Sequence, residues 1–189
     1  MTDRPLTDFE QVLLGVLVDQ PRSGYDLKKL FTVTPAAVYQ PSAGALYPAL
    51  RRLRQRGLVC DEETVSAGRR GRRVWHPTEA GRATHLEWVR EPVAPQTVAS
   101  DLGLHMMRFV MMERQVPVED VLAFLASLID ALQAFVKGMT DYAAGPGEAL
   151  PHRHPGLAVR HGIEVHQASL DWARAAYAEL AGAASEERR

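Results

Sequence analysis

Four arginines, Arg51, Arg52, Arg54 and Arg56, crowd into the segment SAGALYPALRRLRQRGLV, residues 42–59. Four more, Arg69, Arg70, Arg72 and Arg73, fall within SAGRRGRR at residues 66–73. A guanidinium is always charged and presents a planar fork of donors. Clusters of this kind therefore suit a polyanion, pairing bidentately with phosphate or with guanine. Gln55 adds a side chain able to read adenine, and Tyr47 adds a hydroxyl. Ser42, with the free amides of a first helical turn, could hold a phosphate. Solvated helices also carry arginine-rich faces, so this chemistry depends on the elements that position it.

On a helical wheel Leu46, Leu50 and Leu53 fall within about 60° of one another. Gly44, Pro48, Arg51, Arg52 and Gln55 take the opposite face, with Tyr47 and Arg54 on a flank. A helix over Ser42–Arg56, capped by Ser42 and stopped at Gly57, is expected. Pro48 conflicts with it, because proline inside a helix costs about 3 kcal/mol, so a kink or a loose first turn is expected. Leu58–Thr64 and Arg72–Pro77 read as two strands of a hairpin, with the arginine cluster and two glycines at its tip.

Upstream, Thr7 and Glu10 form a capping box at the start of a first helix that ends before Pro21. SGYDLKKLF, with Ser23 as cap, is a second, short helix carrying Lys28. Thr78 caps a fourth, running to about Arg90. Three helices, a hairpin and a further helix make the layout of a winged helix-turn-helix.

Three quoted stretches, SGYDLKKLF, SAGALYPALRRLRQRGLV and GRRVWHPTEAGR, resemble the PadR family of bacterial transcription regulators. The matching residues are Gly24-Tyr25, Ser42 to Leu58, and Thr78 to Arg82, in order and over about half the chain. Pro48 matches the family pattern, and Trp75 stands where a tyrosine is common. The resemblance implies a fold that is mainly α with a small β-hairpin: a winged helix-turn-helix domain over residues 1–90 and a helical dimerisation domain over 91–189. It implies a homodimer acting as a repressor on an inverted-repeat double-stranded DNA operator. It assigns DNA contact to Ser42, Tyr47 and the wing residues Arg69, Arg70, Arg72 and Arg73. The wheel adds Gly44, Arg51, Arg52 and Gln55, and Lys28 is placed for phosphate. Tyr25 fits either DNA contact or core.

The 189 residues are 46% apolar, enough for a packed core. Lys and Arg outnumber Asp and Glu by 14 to 10 over residues 1–90 and are outnumbered 8 to 13 thereafter, which divides a polyanion-facing front from the rest. One cysteine, Cys60, excludes an internal disulfide and fits a reducing cytoplasm; a half-buried structural thiol is expected. The N-terminus does not read as a signal peptide, and no stretch reads as a membrane span.

In the back half Val118, Leu122, Leu125, Ile129, Leu132, Val136 and Met139 alternate four and three apart, a heptad seam on a helix over 118–142. A last helix, about 157–183, carries Leu170, Tyr177 and Leu180 in a seam of its own. Two seams with little else to cover them suggest pairing between copies. Leu122, Leu125, Ile129, Leu132, Val136, Leu170, Tyr177 and Leu180 are the expected dimer interface, with a closed monomeric bundle as the competing reading. Met106 and Phe109, in a methionine-rich helix, together with Trp172, are candidates for a pocket taking a small aromatic or drug-like effector. His152, His154, His161 and His166 do not space as a zinc site, so neither metal nor cofactor is expected. No nucleophile with a base, paired carboxylates or phosphate-binding glycine loop stands out, which argues against an enzyme. A winged helix used only for protein–protein contact is the competing function.

Overall fold

The computed structural model describes residues 4–33, 44–64, 72–145 and 153–187. Their contacts divide the chain into two compact units. The first is Met1–Val89 with Met106–Gln115; the second is Arg90–His105 with Val116–Arg189.

The first unit opens with α1, Asp8–Asp19. Its start is the expected capping box: the Glu10 amide donates to Thr7 Oγ1 at 3.3 Å, and the Thr7 amide donates to Glu10 Oε2 at 2.9 Å. Val12, Leu13, Leu14 and Leu17 are fully buried along it. Ser23 and Asp26 cap α2, Gly24–Val33, in the same reciprocal way. Ser23 also belongs to an element the sequence did not reveal, the two-residue strand β1, Arg22–Ser23. Two residues are too few to show a period of two. β1 pairs antiparallel with β3, Arg72–Pro77, which pairs antiparallel with β2, Val59–Thr64, giving the order β1-β3-β2.

The arginine-rich helix, α3, spans Leu46–Gln55 with Ala45 as its N-cap. It starts four residues later than expected, and Ser42 lies outside the described residues. The later start resolves the conflict at Pro48. Pro48 is the third helical residue, where no carbonyl of the helix awaits its missing amide, so neither penalty nor kink arises. The first intrahelical bond follows at once, from the Ala49 amide to the Ala45 carbonyl at 3.1 Å. Leu46, Ala49, Leu50 and Leu53 are buried, as the wheel requires. Gly57 ends the segment at φ +72°, a left-handed conformation glycine adopts without steric cost.

Thr78 joins this turn to α4, Glu79–Arg90. Its hydroxyl accepts from the Gly81 amide at 3.0 Å and donates to the Gly57 carbonyl at 2.6 Å, while its amide donates to the Leu58 carbonyl at 3.0 Å. The end of the wing is thereby tied to the end of α3. The boundary between the units departs from the simple cut at residue 90. Residues 106–115 pack with the first unit: Arg108 Nη2 donates to the Val89 carbonyl at 3.3 Å, and its guanidinium lies 5.7 Å from the centre of the Trp88 ring. Residues 106–112 of this segment belong to α5, Leu102–Met112.

In the second unit a 3-10 turn, Pro95–Thr97, precedes two long helices, α6 (Val118–Ala144) and α7 (Arg153–Glu187). Both run a few residues beyond their expected ends. They pack along each other: the Phe135 and His166 rings lie 4.5 Å apart, and Arg174 Nη2 donates to Gln133 Oε1 at 2.9 Å. One expectation is corrected here. An 18-residue window of α6 has a mean hydropathy of 1.6, so the helix is long and apolar enough to cross a membrane by length and composition. The membrane-span expectation rested on an uninterrupted apolar run, and α6 reaches that hydropathy with scattered charges. In the structure Phe124, Leu125, Leu128, Ala131 and Leu132 of this helix are buried within the unit.

Candidate nucleic-acid interface

α3 turns Arg51, Arg52 and Gln55 outward, all exposed, with Tyr47 53% exposed and Gly44 exposed just ahead of the helix. Tyr47 is placed by a close approach. A β-carbon on Gly24 would lie 2.7 Å from the Tyr47 hydroxyl, so a larger residue at the head of α2 would displace the ring from this position. This is a physical reason for Gly24 in the Gly-Tyr pair. Tyr25, which the sequence left open, is 74% exposed, and Lys28 is exposed on α2. Arg73 is exposed on β3. Arg69, Arg70 and the side chain of Arg72 lie outside the described residues.

The cations of this face are not equivalent, because two acids of the same unit hold several of them. Glu10 is buried at 1% exposure and pairs with Arg52 Nε at 2.5 Å and with Arg4 Nη2 at 3.3 Å. Burial alone would raise its carboxyl. The Arg52 bond and the Thr7 amide and hydroxyl outweigh that and hold it below the usual carboxylate range. Asp61 on β2 pairs with Arg54 Nη1 at 3.0 Å and with Arg73 Nε at 3.1 Å. Arg56 donates to the Arg4 carbonyl at 2.7 Å. Arg51 carries no such tie among the described residues. Sequence reasoning read Glu10 only as a cap and passed over Asp61. The available signal was strand alternation: Asp61, between Val59 and Glu63, falls on the face that pairs with Trp75. Cys60 falls on the other face and is exposed, which corrects the expectation of a half-buried thiol.

The expected dimer seam is also redistributed. Leu125 and Leu132 are fully buried and Leu170 is 3% exposed within a single chain, so these three have no surface left for a partner. The heptad seam of α6 is buried inside the unit only at Leu125 and Leu132. Leu122, Ile129, Val136 and Leu180 are half-buried, while Tyr177 remains exposed. Val165 and Trp172, seven residues apart on α7, are exposed at 41% and 39%.

A cleft of about 920 Å³ in the first unit is lined by Met107, Val110 and Met111, and not by the expected Met106 and Phe109. Helical periodicity explains the difference, since 107, 110 and 111 share one side of α5 and 106 and 109 lie on another. Arg22, Arg82 and Arg114 add charge to the cleft, and Arg22 Nε is buried without a hydrogen-bond partner among the described residues. His85 is fully buried beside Trp88, and burial pushes its imidazole down to about 4. His154 and His161 are exposed on α7, and His152 lies outside the described residues. The His166 ring lies between the Gly162 and Val98 carbonyls, at 2.7 Å and 3.1 Å.

Residues 13–87 match the "Transcriptional regulator PadR-like family". Rv1176c of Mycobacterium tuberculosis, named a probable transcriptional regulator, is 23% identical over 174 residues, covering 85% of this chain and 90% of that one. Transcriptional regulator Rv3488 of the same organism is 49% identical over 49 residues, 26% of this chain and 45% of that one. A solved structure of Bacillus subtilis PadR in complex with operator DNA aligns at 16% identity and a TM-score of 0.45, over 94% of this chain and 99% of that chain. The Gly-Tyr pair, the arginine-rich helix and the Thr-Glu-x-Gly-Arg run all lie inside the matched segment, so the likeness to PadR-like transcriptional regulators rests on residues 13–87.

Proposed function

We propose that the protein is a cytoplasmic, dimeric repressor that reads an inverted-repeat DNA operator, with α3 in the major groove and the wing on the backbone. The observation that carries this is the outer face of α3, where Tyr47, Arg51 and Gln55 stand exposed beside one another. An arginine–glutamine pair one turn apart can address neighbouring base edges, and the remaining cations fix register on phosphates. Ser42, Lys28, Arg69, Arg70 and Arg72 complete the reading as phosphate contacts. A two-fold dimer repeats the α3 surface for the second half-site. The exposed Val165, Trp172 and Tyr177, with the half-buried Leu122, Ile129, Val136 and Leu180, form its contact surface.

The test is a titration of the DNA upstream of the protein's own gene at rising salt. The logarithm of the association constant should fall linearly with log salt, by about 0.9 per phosphate neutralised. Replacing Arg69 and Arg70 by alanine should flatten that slope by about 2. An unchanged slope removes the wing from the interface. No binding even at low salt leaves the winged unit as a protein-interaction module.

We assign an effector to the cleft of the first unit. Met107, Val110 and Met111 suit an apolar body, and the exposed Arg82 and Arg114 suit an acceptor on the same molecule. A molecule of that kind should release bound DNA, and Met111→Trp, which fills the cleft, should abolish the response without changing DNA affinity.

A further inference from the structure

Asp61 occupies a position that strand alternation reserves for an apolar side chain. It pairs across the sheet with Trp75, which is 3% exposed, and its neighbour on the same face, Val59, is 2% exposed. Its own side chain is only 12% exposed. A carboxylate drawn that far from water needs partners, and here each oxygen has one: Oδ1 faces Arg54 Nη1 at 3.0 Å, and Oδ2 faces Arg73 Nε at 3.1 Å. The two guanidiniums come from different elements. Arg54 lies on the flank of α3 and Arg73 on β3, the returning strand of the wing. Both are more than half exposed, so each is held at its carboxylate end while its remaining surface faces solvent.

We infer that Asp61 is a positioning residue for DNA reading: it bridges the reading helix to the wing, so that both meet one half-site in a fixed relative setting. The inference rests on the DNA reading above and goes beyond it by assigning a role to an acid. A negative charge beside a DNA-binding face is costly in simple electrostatics, since it repels phosphates and neutralises two cations that could otherwise contact them. Its place is explained if it supplies geometry. Specific binding needs α3 and the wing in register together, whereas non-specific binding needs only cations. Removing Asp61 should therefore move the two in opposite directions.

The experiment compares the wild-type protein with Asp61→Asn on two duplexes of equal length. One is the sequence the wild type selects from a randomised library, and the other is a scramble of it. The ratio of the two affinities is the readout. Asp61→Asn should weaken the selected duplex, leave the scramble unchanged or tightened, and lower the ratio by about tenfold. Arg54→Gln removes the bridge from the helix end without touching the inward position, and should lower the ratio in the same direction if Asp61→Asn does not fold. A ratio unchanged within twofold overturns the proposal, whether both affinities rise or both fall. A wild type that prefers no duplex overturns the DNA reading, and this proposal with it. A wild type that prefers one while the variants keep its ratio overturns this proposal alone.

Discussion

The two units carry the same kind of pattern to different ends. In the second unit the heptad seam of α6 marks an apolar face, and much of that face is covered inside the chain, where Leu125, Leu128 and Leu132 are fully buried. In the first unit the wheel of α3 marks a charged face that stays at the surface, yet carboxylates of the same unit hold three of its neighbouring arginine contacts: Glu10 with Arg52, and Asp61 with Arg54 and Arg73. A periodic pattern says which side of an element seeks a partner. It does not say whether that partner is inside the same chain.

The contrast is sharpest in the second unit. Leu132→Ala should cost about 3 kcal/mol of unfolding free energy, because it opens a cavity inside one chain. Val165→Asp with Trp172→Ala should shift sedimentation toward monomer while leaving helix content by circular dichroism unchanged. If Leu132→Ala cost no more than a surface change, the seam would not be the interior described above.

The first unit offers the matching pair of substitutions. Arg51→Ala should lose about 2 kcal/mol of operator affinity and leave thermal stability unchanged. Arg52→Ala should lower stability by about 1 kcal/mol in denaturant titration, since it removes a charge-assisted bond from the buried Glu10. Equal effects of the two on both measurements would erase the distinction between a free and a tied arginine.

A pH series separates the interior of the first unit from its surface. His85 is buried in its neutral form with a folded value of about 4, below the ordinary 6.5, so the unfolded chain takes up a proton first as pH falls. Stability should drop from pH 7 to pH 5 by about 2 kcal/mol and level off below pH 4 on this account. The lowered Glu10 carboxyl adds a further loss only at lower pH, as it becomes protonated. His85→Leu should flatten the segment between pH 7 and 5 in urea titrations; a slope that survived the substitution would assign the loss elsewhere.

Much of the winged unit was legible because its signals are local. The Thr7–Glu10 box, the Ser23 and Thr78 caps and the stop at Gly57 each depend on residues within one turn. Both long strands appeared where β-rich segments flank glycines. What escaped notice was non-local. β1 exists only because Arg22 and Ser23 meet Trp75 and Val74. The start of α3 moved because Pro48 is tolerated in a first turn, and the wheel alone could not set that turn's position. Residues 106–115 joined the first unit through side-chain packing that no period announces.

Sequence alone determined the order of the helices and the two long strands, the buried leucine stripe and the exposed cationic face of α3, because helix and strand periods decide which side chains share a face. Tertiary structure decided which of those cations are tied to carboxylates, which seam leucines are already buried, and that Asp61 joins helix to wing. Those outcomes depend on atoms brought within about 3 Å by folding, and hydrogen-bond and ion-pair energies vanish over distances that sequence spacing does not encode.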